Sequence, residues 1–247
     1  MQVRNLKKWG VLDFISRGGY ADKELACEVI VDAKTAYQAL AEKAIEPEDL
    51  AKQAIRLPEF VQILVDGMGE SKAEVKYGCA KALRIVTDEQ PELLYPHFDL
   101  FAGMLGHTNK LFQWQALYVI AGLACVDEEE KLPGVLNAYF AGIQGPVLVT
   151  AANVIKGAAT IVKARPRYAD RIAAEVLRAE KGIYEDPECH EIACGAALKT
   201  FYMIHKWVSD PAPLAAFAER HLDSPREPTA RAADKYFSRY EKQALAG

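Results

Sequence analysis

The sequence predicts an all-α fold, an α-solenoid of about six stacked helical pairs. Three observations predict it. The phrase Val75-Lys76-Tyr77-Gly78-Cys79-Ala80-Lys81-Ala82-Leu83 returns in altered form four more times toward the C-terminus. A second helical pattern that opens near a proline precedes each copy. No stretch shows the β-branched alternation of a strand. A period of this length, built from paired helices, marks a stack in which each unit buries its apolar face against its neighbours.

The copies fall into one register. With Cys79 as anchor, the equivalents are Ala116, Ala151, Cys194 and Ala232, at spacings of 37, 35, 43 and 38 residues. Four positions after the anchor stand Leu83, Ile120, Ile155, Leu198 and Tyr236. One position before those stand Ala82, Val119, Val154, Ala197 and Lys235. Four positions before the anchor stand Val75, Phe112, Val147, His190 and Pro228. Residues three and four apart share one helix face. The anchor is small, so a neighbouring helix can come close to it.

Residues 1–57 are expected to form an irregular cap, because the end of a stack turns one face to water. Asn5 to Ile15 reads as a first helix, stopped by Gly18-Gly19. Glu24 to Lys43 reads as a second, in which Val29, Ala33, Ala36 and Tyr37 form a degenerate copy of the anchor helix. Glu46-Pro47-Glu48-Asp49-Leu50 starts a third. Residues 58–240 hold the regular repeats. The preceding helices open at Pro58, Pro91, Leu132-Pro133, Pro166 and Pro213, where proline's missing N–H would be unpaired anyway. They end in Gly67-Met68-Gly69, Gly106-His107-Thr108-Asn109, Gly142-Ile143-Gln144-Gly145-Pro146, Glu185-Asp186-Pro187 and Asp223-Ser224-Pro225, all turn signals. No Pro-, Gly- and Ser-rich stretch is long enough to be a hinge, so residues 1–247 are expected to form a single domain.

Val75-Lys76-x-x-Cys79-Ala80-x-Ala82-Leu83 and Val147-Leu148-x-x-Ala151-Ala152-x-Val154-Ile155 resemble the second helix of a HEAT or armadillo-type repeat. The second copy lacks the basic residue after its first valine. The resemblance spans residues 58–240. It implies that the anchor helices line a concave, extended binding surface. In the repeat frame Tyr77, Trp114 and Val149 are equivalent, as are Lys81, Tyr118 and Asn153, and Arg84, Ala121 and Lys156. A ladder of Tyr77, Lys81, Arg84, Trp114, Tyr118, Asn153 and Lys156 is therefore expected off the apolar stripe. Aromatics beside cations combine contact area with a polar handle, although Trp114 and Tyr118 could instead pack between helices. The function this implies is a non-catalytic binding scaffold whose groove holds a protein or peptide partner. HEAT-like DNA glycosylases of alkylation repair and HEAT-like lyase subunits are the alternatives. Trp114 invites the first comparison, but one turn later stands Tyr118 and not a carboxylate.

Composition narrows the classes further. The formal charge is −4 and the isoelectric point about 5.8, which argues against a dedicated nucleic-acid domain. Asp127-Glu128-Glu129-Glu130 and Glu46-Pro47-Glu48-Asp49 are read as solvated helix starts. Cys27, Cys79, Cys125, Cys189 and Cys194 include no Cys-x-x-Cys pair and suggest a reducing cytoplasm. Cys79 and Cys194 take the anchor position and are expected to be buried. Cys189-His190-Glu191-x-x-Cys194 is the nearest approach to a metal cluster, and it lacks further ligands at usable spacing. His190 is expected to be a half-buried residue at a helix start. No phosphate loop, Gly-x-Ser-x-Gly or His-Glu-x-x-His is present, so no cofactor is expected. No apolar run reaches membrane-spanning length.

Overall fold

The computed structural model describes residue 30 and residues 32–244. Among them are twelve α-helices and no strand. They are α1 Ala33–Ala41, α2 Pro47–Arg56, α3 Phe60–Gly67, α4 Ala73–Glu89, α5 Phe98–Met104, α6 Lys110–Leu123, α7 Leu132–Phe140, α8 Leu148–Ala164, α9 Ala169–Leu177, α10 Pro187–Ile204, α11 Ala212–Arg220 and α12 Glu227–Ala244. From α3 onward a short helix alternates with a long one.

The two kinds of helix form two layers. The long helices pack side by side in the order α4, α6, α8, α10, α12, and α2 takes the corresponding place ahead of α4. The short helices back them and touch one another far less. A single cluster of buried side chains runs through the stack from Ile30 to Tyr236.

The expected register holds. The anchors Cys79, Ala116, Ala151 and Cys194 are fully buried, and so are Leu83, Ile120, Ile155, Leu198 and Tyr236 four positions on. Each long helix thus buries a stripe at spacings of three and four and offers water the other side. The last copy departs from it: Ala232 is half-buried and Ala233 buried. α12 is the last long helix among the described residues.

Small residues set how closely the layers approach. A side chain at Gly67, at the end of α3, would collide with Cys79 Sγ on α4. One at Gly157 on α8 would collide with the Tyr139 hydroxyl on α7 and crowd Ala121 on α6. Tyr139 is fully buried, and its hydroxyl donates to the Leu117 carbonyl at 3.2 Å. Three helices therefore meet at one glycine.

Four expectations about local structure change. The part of Glu24–Lys43 within the described residues starts its helix only at Ala33, because the Asp32 carboxylate accepts from Thr35 N at 2.9 Å and caps the first turn. Ile30 is not helical; the buried Gln53 amide on α2 bonds both its N–H and its carbonyl. Ala36 and Tyr37 belong to this short α1, and it is α2 that packs beside α4, so the degenerate anchor copy is not the long-layer member. Asn5–Ile15, Cys27 and Val29 lie outside the described residues. Pro91 and Pro166 open 3-10 turns, Pro91–Leu93 and Pro166–Tyr168, with the α-helices beginning later. Finally, Asp127 is not a solvated carboxylate.

Asp127 is buried between repeats. It accepts from Tyr95 Oη at 2.8 Å, from Lys131 N at 2.9 Å and from Leu132 N at 3.0 Å. It satisfies N–H groups at the start of α7, while Glu128, Glu129 and Glu130 remain exposed. Removing this carboxylate orphans several donors, so Asp127→Ala should cost about 2 kcal/mol. Urea unfolding followed by circular dichroism checks this; a loss below about 0.5 kcal/mol would show that the cap is held by other groups.

Candidate functional site

The exposed side of the long-helix layer is the candidate site, and its residues divide into two groups. The first is tied across neighbouring helices. Lys81 on α4 pairs with Glu48 on α2 at 2.7 Å. Arg84 Nε donates to Gln115 Oε1 on α6 at 2.8 Å. Gln115 is buried, and its Nε2 donates back to the Ala80 carbonyl at 3.1 Å. The Arg84 guanidinium also lies 4.9 Å from the centre of the Tyr118 ring, a cation–π distance. The Tyr118 hydroxyl donates to Asp88 at 2.6 Å, and burial, then Asp88, push its phenol pKa up to about 12.

Trp114 belongs to the same group. It is half-buried, packs on the core, and donates through Nε1 to Thr150 Oγ1 on α8 at 2.9 Å. Ala121, aligned with Arg84 and Lys156, is buried between helices and does not face outward. Lys81 and Tyr118 are tied back to the preceding long helix, and Arg84 and Trp114 forward to the next.

The second group is open. Tyr77 is 48% exposed and Val149 46%, and the two hold the same place in the repeat. Lys156 is exposed. Asn153 is half-buried and bonds only locally, from Nδ2 to the Val149 carbonyl at 2.8 Å. The same frame carried on to α10 gives Ile192, Ala196 and the exposed Lys199; Met203, 52% exposed, stands one turn beyond Lys199. The sequence reading stopped at the third copy and missed Lys199, although the register that locates it was already in hand; Met203 lies outside the three aligned positions. Glu48, Asp88, Gln115 and Thr150 had no such signal, because their roles depend on how neighbouring helices are aligned.

No protein-family model and no curated protein matches the chain. Solved structures do match. An engineered protein known from a crystal structure superposes with a TM-score of 0.53 at 14% identity, over 86% of this chain and 93% of that one. A designed armadillo repeat protein superposes with a TM-score of 0.53 at 14% identity, over 83% of this chain and 92% of that one. The chain has an armadillo/HEAT-like helical-repeat fold.

At that identity the likeness establishes the fold alone. The comparisons lend no support to an alkylation-repair glycosylase or a lyase subunit. Among the described residues of this armadillo/HEAT-like stack, no helix is long and apolar enough to cross a membrane. Among the described residues, no group of three or more His, Cys, Asp and Glu residues is arranged to hold a metal. Two shallow depressions, each about 400 Å³, lie in the stack. One is lined by Pro187, Glu188, His190, Glu191, Pro225 and Arg226. The other lies between Gln62 and Phe112.

The thiols follow their burial. Burial pushes Cys79 and Cys194 up to about 12, where almost no thiolate forms near neutral pH. Cys125 is exposed. An alkylating reagent at pH 8 should label Cys125 at least about a hundredfold faster than Cys79 or Cys194. Peptide mass spectrometry of timed samples reads each site, and comparable rates would contradict this packing.

His190 is half-buried, as expected, and donates from Nε2 to the Glu180 carbonyl at 2.8 Å. It borders a polar cluster of half-buried Glu180, exposed Arg220 and buried His221. Glu180 takes both ends of the Arg220 guanidinium, at 2.7 and 2.8 Å, which holds its carboxyl below the usual range. His221 is buried against Phe217, and its Nε2 lies 3.6 Å from Glu180 Oε1, beyond hydrogen-bond reach. Burial lowers its pKa below 6.5. The unfolded chain then takes up a proton that the fold resists, so His221 withdraws stability as pH falls through and below about 6.5. The depressed Glu180 loses its contribution only as pH falls below the ordinary carboxylate range. His221→Gln should therefore flatten the decline in Tm between pH 7 and 5.5 and leave the decline at lower pH in place. An unchanged profile would assign that window to other groups.

Proposed function

We propose that this protein is a non-catalytic binding scaffold, and that the exposed side of its long-helix layer forms the groove that holds a protein or peptide segment. One observation carries the reading. Large side chains stand in solvent on that layer, Tyr77 on α4 and Val149 on α8 at matching positions and Met203 on α10 further along its helix, while the side chains between them are held by neighbouring helices. Large apolar groups repeated along one face are a docking feature. The tight packing among the long helices, against the loose contacts among the short ones, supports placing the long layer on the inside of the curve. Lys81, Arg84, Trp114 and Tyr118 then shape the floor, and Tyr77, Val149, Asn153 and Lys156 make contact.

The test is a displayed library of random 12-residue peptides selected on the folded chain. Val149→Ser combined with Met203→Ser should weaken the selected peptides at least tenfold. Leu100→Ser, on the short-helix layer and 42% exposed, should leave them unchanged. The reverse pattern would move the site to the other face, and peptides insensitive to both would remove the groove.

A further inference from the structure

Four lysines form a lattice across two adjacent long helices. Lys156 on α8 and Lys199 on α10 each stand five positions after their anchors, Ala151 and Cys194. Lys163 and Lys206 each stand twelve positions after the same anchors. All four are exposed. Lys206 lies on the 3-10 turn His205–Trp207 that continues α10, with its Nζ 4.2 Å from the centre of the Trp207 ring. Seven helical residues rise about 10 Å, and neighbouring helix axes lie roughly 8–10 Å apart. The charges therefore occupy the corners of a near-square.

Among the described residues, no ion pair neutralises them. Residues 110–126, spanning α6 and its end, contain no Asp or Glu, and neither does α8. The acids of α10, Glu188 and Glu191, lie in its opening turns, at the far end from Lys199 and Lys206. On the other flank α12 carries Glu227, which pairs with Arg231 in its first turns, and Asp234 and Glu241, set against Lys235 and Arg239, which bracket the Tyr202 ring of α10 at 4.5 and 4.8 Å. Cations near helix C-termini complement the dipole, but Lys156 stands mid-helix, where that effect has faded.

We propose that this lattice docks an acidic protein segment in extended conformation, a statement that rests on the scaffold reading and specifies its ligand. An extended chain advances about 3.3 Å per residue, so carboxylates three residues apart match the roughly 10 Å rungs. Between Lys199 and Lys206 stands Met203, 52% exposed, an adaptable apolar contact suited to a peptide side chain. A phosphate backbone would leave that thioether without an apolar partner.

The peptide selection above tests this as well. Peptides enriched at about 100 mM salt should carry at least twice the Asp and Glu content of the input. They should lose at least tenfold in affinity for the Lys156→Glu/Lys199→Glu variant, with its helicity confirmed by circular dichroism, and about as much again as salt rises to 300 mM. Lys52→Glu, at the far end of the stack, should leave them unchanged. Neutral or basic peptides that bind the same face would overturn the acidic ligand and leave the scaffold reading standing. An empty selection would overturn both. A 20-nucleotide single-stranded DNA that competes more strongly than the peptides would assign the lattice to nucleic acid instead.

Discussion

Close approach between helices at small residues is the constraint on which the rest of this structure depends. At Gly67 the end of α3 comes against Cys79, and at Gly157 the α8 backbone comes against the Tyr139 hydroxyl and Ala121. A larger residue at either place would separate the layers and open space beside side chains that are now fully buried. Protein interiors tolerate such gaps poorly, because each lining atom loses its dispersion partners. The recurrence of small anchors in each copy is therefore a statement about distance, and the buried stripe of Leu83, Ile120, Ile155 and Leu198 follows from it.

That distance also determines what the exposed polar groups can do. With α4 and α6 close together, Arg84 reaches Gln115 and Tyr118 reaches Asp88. With α6 and α8 close, Trp114 reaches Thr150. These bonds align each long helix with the next and leave their owners with little freedom to meet a ligand. Over α8 and α10 the lysines lack such partners, so the first part of the layer is bound to itself while the later part carries uncompensated positive charge. A chain with a formal charge of −4 thus holds a local basic surface that its overall balance conceals, since the total charge says nothing about where the charges lie.

The buried polar groups give the same lesson. The acidic run 127–130 looks like solvent-facing charge, and Glu128, Glu129 and Glu130 are exposed. Asp127 is instead the central acceptor of a junction between Tyr95 and the start of α7. Nothing local distinguishes it from its neighbours; its role exists only because Tyr95, 32 positions earlier, is brought beside it. Gln53 clasping Ile30 and Arg220 clasping Glu180 are equally invisible along the chain.

The sequence by itself determined the period, the identity of the long helices and their buried stripe, because helical periodicity acts between residues three and four apart and a repeat copies it. It also separated the positions that pack from the positions that vary, which brought Tyr77, Lys81, Arg84, Trp114, Tyr118, Asn153 and Lys156 to notice. Only the tertiary structure decided which of those are ties and which are open, and that α2 rather than α1 starts the long layer. The physical reason is that a hydrogen bond or ion pair between helices depends on their spacing and relative rotation, and these are set by packing over the whole stack rather than by any one repeat.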